Sequence, residues 1–153
     1  MKKIFLLLVY VLILQAEDTL RAVYDLTASK TETFEQKILK AIVSNKAYYE
    51  GQFKELEVAV VIHGGAYKFF VKELSNTEYK DEKELIKASL ELKKRIESIS
   101  KNYNVEFLMC EIGAKKHKLK REDVYSFVKM VPNATIGLID KQNEGYAYIP
   151  VRD

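Results

Sequence analysis

The chain has a single cysteine, Cys110, in 153 residues. One thiol excludes an intramolecular disulfide and a Cys-x-x-Cys redox pair. Histidine is equally scarce: His63 and His117 are the only two. With Cys110 they do not form the close ligand pairs that a zinc motif uses, so no metal is expected. Proline occurs twice, and no low-complexity tract or internal repeat interrupts the chain. An excess of charge is also missing. Lys and Arg number 25 against 22 Asp and Glu, which gives no electrostatic reason to expect nucleic acid. The Gly-x-Ser-x-Gly elbow, the Gly-x-Gly-x-x-Gly fingerprint and the P-loop are absent as well. Hydrolase, kinase and nicotinamide-dependent oxidoreductase chemistry therefore have no signature here.

No apolar run reaches the roughly 20 residues of a membrane-spanning helix. The longest, Ile4–Leu14, follows Lys2-Lys3 and precedes Gln15-Ala16. A charged start, a short apolar stretch and a small residue describe an export signal cleaved after Ala16. Residues 1–16 are thus expected to be a signal peptide and residues 17–153 a single domain, with the periplasm as destination. The segment holds two lysines and no acid, so the remainder carries 23 basic against 22 acidic side chains, about +1.

In the remainder, strand and helix patterns alternate. Thr19–Thr27 is β-rich, with Leu20, Ala22, Tyr24 and Leu26 on one face. Ser29 and Glu32 have capping-box spacing. Phe34, Ile38, Ala41, Ile42, Asn45 and Tyr49 then form a helical stripe that Gly51 ends. Val58–Ile62 is a continuous β-branched run before His63-Gly64-Gly65, the pattern of a strand buried on both faces. Asp81 is placed to cap a long helix to about Lys101, on the stripe Leu85, Ser89, Leu92, Ile96, Ile99 and Tyr103. "NVEFLMC" is the third strand. A short helix over Glu111–His117, a second over "REDVYSFV", a strand ending at Pro132, a helix over 135–144 and a strand over 146–149 complete the reading. This alternation predicts an α/β/α sandwich around a mainly parallel sheet of about five strands. In such sheets sites gather beyond the carboxyl ends of the strands. His63 and Cys110 both fall there.

A thiol just before a helix N-terminus feels the positive end of the helix dipole, which favours the thiolate. Lys115, Lys116, Lys118, Lys120 and Arg121 follow and act in the same sense, while Glu111 opposes them. His63 is a candidate base or hydrogen-bond donor to that thiol, or a structural histidine tied to a loop. Cys110 itself is either a reactive, at least partly accessible sulfur or a small apolar core residue.

Three segments, taken in order, resemble the DsrE/DsrF-like proteins, a family linked to sulfur relay and intracellular sulfur oxidation: "VAVVIHGGAYKFFV", "VEFLMCEIGAKKHKLKREDV" and "MVPNATIGLIDKQNEGYAYI". The resemblance implies the sandwich fold and homo-oligomers, commonly trimers or hexamers. It implies a sulfur carrier or sulfurtransferase-like protein holding sulfane sulfur as a persulfide on Cys110, with no cofactor and with protein partners as sulfur donor and acceptor. His63 would orient the sulfur or act as base, and Gly64, Gly65 and Glu111 would line the site. Glu111-Ile112 departs from the small or polar residues that often follow the family's cysteine. The alternative is a non-catalytic oligomeric accessory protein in which Cys110 is structural. Some of Tyr48, Tyr49, Phe69, Phe70 and Tyr125 are expected to lie in the subunit interface.

Overall fold

The β-branched runs become strands and the periodic stretches become helices in a computed structural model that describes residues 19–153. The leader expected over residues 1–16 lies outside the described residues. The strands are β1 (Leu20–Leu26), β2 (Leu56–Ile62), β3 (Glu106–Cys110), β4 (Lys129–Val131) and β5 (Ala147–Val151). They form one fully parallel sheet in the order β4-β3-β2-β1-β5. Parallel neighbours need a crossover connection, and four helical segments supply it. Segment α1 is α-helical over Thr31–Phe34, π-helical over Glu35–Lys40 and α-helical again over Ala41–Glu50. The others are α2 (Lys83–Asn102), α3 (Glu111–Lys116) and α4 (Ala134–Asn143).

Alternation along each strand sorts residues between two faces. One face carries Tyr24, Leu26, Val60, Ile62, Phe107 and Met109, all nearly or fully buried. It packs on Phe34, Ile38 and Ile42 of α1 and on Leu92, Ile96 and Ile99 of α2, so both predicted stripes face the main core. The wider π turn buries Leu39 alongside Ile38. Phe34 stacks on Phe69 at 4.3 Å and meets Phe70 edge-on at 5.8 Å. Phe69, Phe70 and Tyr125 are therefore core residues, not interface residues, whereas Tyr48 is exposed. The opposite face is covered by α4. A methyl on Gly137 would stand 3.3 Å from Val131 and 3.6 Å from Val61, so glycine lets this helix sit close to the strands.

Two helix starts differ from expectation. Ser29 does not cap α1. Its Oγ and N–H donate to Asp153 (2.7 and 2.8 Å), and Lys30 N–H donates to the same carboxylate at 3.0 Å. A carboxylate brought from beyond β5 thus holds the two residues that lead into α1. Asp81 does not cap α2 either. The helix begins after Glu82, whose side chain takes a 2.6 Å bond from Lys68.

Candidate functional site

The register brings the predicted residues to one rim. Ile62 pairs with Met109, and one residue further lie His63 and Cys110. They continue or close two adjacent strands of the parallel sheet. His63 follows Val61, and Cys110 follows Leu108, by two positions. Val61 and Leu108 are register partners. Both site residues therefore belong to the face that α4 covers.

Cys110 is the N-cap of α3, and its Sγ accepts from Gly113 N–H at 3.5 Å. It is 7 % exposed, more enclosed than an accessible thiol was expected to be. The enclosure comes from the tight turn into α3. Tyr67, in the 3-10 segment Gly64–Phe70, donates its hydroxyl to the Cys110 carbonyl at 3.1 Å. Burial, and then a hydrogen bond with the Cys110 side chain, hold the Tyr67 phenol well above its ordinary range, so it remains a donor. A methyl on Gly113 would stand 1.9 Å from that hydroxyl. Gly113 is thus a requirement of the Tyr67–Cys110 contact.

The glycines after His63 have a packing role. Gly64 has φ +60°, the left-handed region, and a Cβ there would lie 3.1 Å from Thr27. A Cβ on Gly65 would lie 2.5 Å from Ser29. The loop after β2 is thereby pressed onto the loop after β1, with Gly65 N–H donating to Thr27 O at 3.1 Å. Glu111 is turned to solvent and paired with Lys115 at 2.8 Å. The basic run does not converge on the thiol. Arg121 donates to the carbonyls of Val124, Tyr125 and Ser126. His117, half-buried, bonds Glu78 at 2.5 Å and packs on the Tyr67 ring at 4.9 Å.

His63 makes no hydrogen bond to Cys110. Its Nε2 lies 2.5 Å from Oδ1 of Asp25, a β1 residue only 4 % exposed. The other carboxylate oxygen, Oδ2, accepts from the Tyr148 hydroxyl at 2.5 Å, with Arg152 Nη2 at 3.8 Å. This bond, with burial adding to it, raises the Tyr148 phenol above its ordinary value. The sequence reading missed Asp25, Tyr148 and Arg152. The available signal was an acid inside the apolar run "AVYDL", opposite the Leu20/Ala22/Tyr24/Leu26 face. Among the described residues no three His, Cys, Asp or Glu side chains form a group that could hold a metal.

Sequence comparison matches the DsrE/DsrF-like family over residues 20–151, from β1 to the end of β5. The chain belongs to that family. An uncharacterized protein of Aquifex aeolicus is 29 % identical over 150 residues, which is 98 % of this chain. The chain spans only 64 % of that relative's length. A solved protein of unknown function from Methanobacterium thermoautotrophicum superposes with a TM-score of 0.59 at 18 % identity, covering 86 % of this chain and 98 % of its own. That likeness supports the fold. Among the described residues no helix is long and apolar enough to cross a membrane.

Proposed function

We propose that this protein carries sulfane sulfur in a relay, as a persulfide on Cys110. The observation that carries the reading is the position of the chain's one thiol: at the end of β3, next to His63, on a rim shared by three strands. With no second cysteine, the persulfide has no neighbour to resolve it into a disulfide. The chemistry is a transfer between sulfurs. Sγ attacks the outer sulfur of a donor persulfide, the donor's S–S bond breaks, and its electron pair leaves on the donor thiolate. Nothing is oxidised or reduced overall. Treatment of the full chain with inorganic polysulfide, followed by mass spectrometry, is expected to show one added sulfur that Cys110→Ser abolishes. No gain in the wild-type protein overturns the reading.

A second reading has its own support. At 7 % exposure the thiol is enclosed enough to serve as packing, which suits a non-catalytic oligomeric accessory protein. Iodoacetamide separates the two: a carrier is labelled when native, a packing residue only after denaturation. Either reading includes self-assembly, into trimers or hexamers. Ile136 and Ile139 of α4 and Tyr148 and Ile149 of β5 are large and exposed, apolar surface available to an interface. A monomer mass by light scattering at micromolar concentration counts against assembly. Export to the periplasm belongs to the proposal too, on the pattern of residues 1–16, and N-terminal sequencing from the native host tests it.

A further inference from the structure

Asp25 is the one polar or charged residue in the buried set of the described residues. A carboxylate is costly to bury unless it is bonded. Its neighbours on the same face, Val23 and Val61, show what the position would hold if packing alone decided. Three strands converge on it: β1 supplies the carboxylate, β2 leads into His63, and β5 supplies Tyr148. The sheet order changes direction here, with β2, β3 and β4 on one side of β1 and β5 on the other. Beyond the carboxyl ends at such a point is where α/β sheets place their ligands.

The bonding pattern has a chemical consequence. An ionised carboxylate only accepts, so the ring nitrogen facing it carries the proton. Neutral His63 then has Nε2–H toward Asp25 and an unprotonated Nδ1, for which no hydrogen bond is made among the described residues. We propose that Asp25, braced by Tyr148, is a positioning residue that fixes His63 in the Nε2–H tautomer and leaves Nδ1 as the proton acceptor for the Cys110 thiol, which ends the neighbouring strand at the same rim. The identity of the proton donor rests on the sulfur-carrier reading; the tautomer does not. In that reaction Nδ1 takes the Cys110 thiol proton as Sγ attacks the donor persulfide. It then returns the proton to the departing donor thiolate, so a donor persulfide and the Cys110 thiol become a donor thiol and a Cys110 persulfide.

Proton-detected nitrogen NMR of the full chain carrying 15N-histidine reads the tautomer directly, and polysulfide loading of Cys110 reads the reaction. The wild-type protein is expected to show His63 as Nε2–H when neutral. Asp25→Asn, which keeps shape but can donate as well as accept, should admit the Nδ1–H form. It should also slow loading at least about tenfold at unchanged donor affinity. Tyr148→Phe should slow it about threefold. A wild-type His63 found as Nδ1–H, or a folded Asp25→Asn that loads at the wild-type rate, overturns the inference. If Asp25→Asn does not fold, the wild-type tautomer and Tyr148→Phe decide it, and either the wrong tautomer or an unslowed Tyr148→Phe overturns it. A wild-type protein that shows the expected tautomer but takes up no sulfur defeats the carrier reading and leaves the positioning of His63 standing.

Discussion

The face of the sheet under α4 has two polar ends, built by the same three strands in opposite ways. Each strand reads polar, apolar, polar along that face: Arg21, Val23, Asp25 in β1; Glu57, then Ala59 and Val61, then His63 after β2; Glu106, Leu108, Cys110 in β3. At the amino end the charges are matched and partly open to water. Arg21 bonds Glu57 at 2.8 Å, and Glu106 takes 2.7 Å contacts from both Lys129 and Lys141. At the carboxyl end one carboxylate is buried, held by an imidazole and a phenol, and the loops around it close on glycines. The amino end is a solvated brace, in which each pair contributes little and any pair can be replaced. The carboxyl end spends packing and burial on fixing one geometry. Geometry that costs stability is expected where chemistry is done.

The comparison is broken most directly by changing one residue at each end and reading sulfur loading of Cys110. His63→Ala is expected to slow loading by about 100-fold, the lower range of what a positioned base contributes. Glu106→Gln should leave it within about twofold. Equal effects at both ends would mean that the carboxyl end has no special role.

Stability sharpens the contrast at the next level. Gly113→Ala forces a methyl into the place of the Tyr67 hydroxyl, 1.9 Å away. Tyr67 is fully buried and has no room to retreat. A loss of about 2–3 kcal/mol in urea denaturation is expected, as for overpacking elsewhere. Gly137→Ala, by contrast, meets Val131 at 3.3 Å and gains helix propensity. It should cost less than about 1 kcal/mol. If Gly113→Ala is as mild as Gly137→Ala, the Tyr67–Cys110 contact does not constrain the rim.

Most of the architecture was legible because it rests on local periodicity. The β-branched run Val58–Ile62 and the stripe Leu85, Leu92, Ile96, Ile99 state their environment within a few residues. The site was half legible. His63 and Cys110 are marked by their place after strands. Asp25 was not, because its partners His63 and Tyr148 lie 38 and 123 residues away. The Tyr67–Cys110 contact was hidden for the same reason, since its two residues lie 43 positions apart. The basic run after Cys110 misled, because local composition does not show that Arg121 is spent on three carbonyls.

The amino-end brace makes a smaller, pH-dependent prediction. Burial of Glu106 works to raise its carboxyl, and the bonds from Lys129 and Lys141 more than offset this, so it is held below its ordinary value. A carboxyl depressed on folding contributes stability that is complete above the unfolded value, about 4.3, and fades as pH falls through the folded one. Glu106→Gln should therefore cost about 1 kcal/mol at pH 7, a figure discounted for solvent screening, and less in high salt. The cost should shrink steadily below about pH 4. A cost that does not change with pH would show that the pair's charge is irrelevant.

The smallest effect lies at Asp153, at the carboxyl end but in solvent. Its carboxylate accepts first from the Ser29 hydroxyl and then from the N–H groups of Ser29 and Lys30, and these bonds hold the group well below the usual carboxylate range. The sign is the same as for Glu106: the contribution is whole above about pH 4, the unfolded value, and is lost as pH falls toward the lower folded one. What differs is the partner. Among the described residues these donors are neutral N–H and O–H groups and no cation, so added salt should weaken this contribution less than it weakens Glu106's. Paired urea denaturations of the wild-type protein and Asp153→Asn should show a gap at pH 7 that narrows at pH 3, with little change between low and high salt. A gap that widens on acidification would mean that the charge of Asp153 does not stabilise the loop that leads into α1.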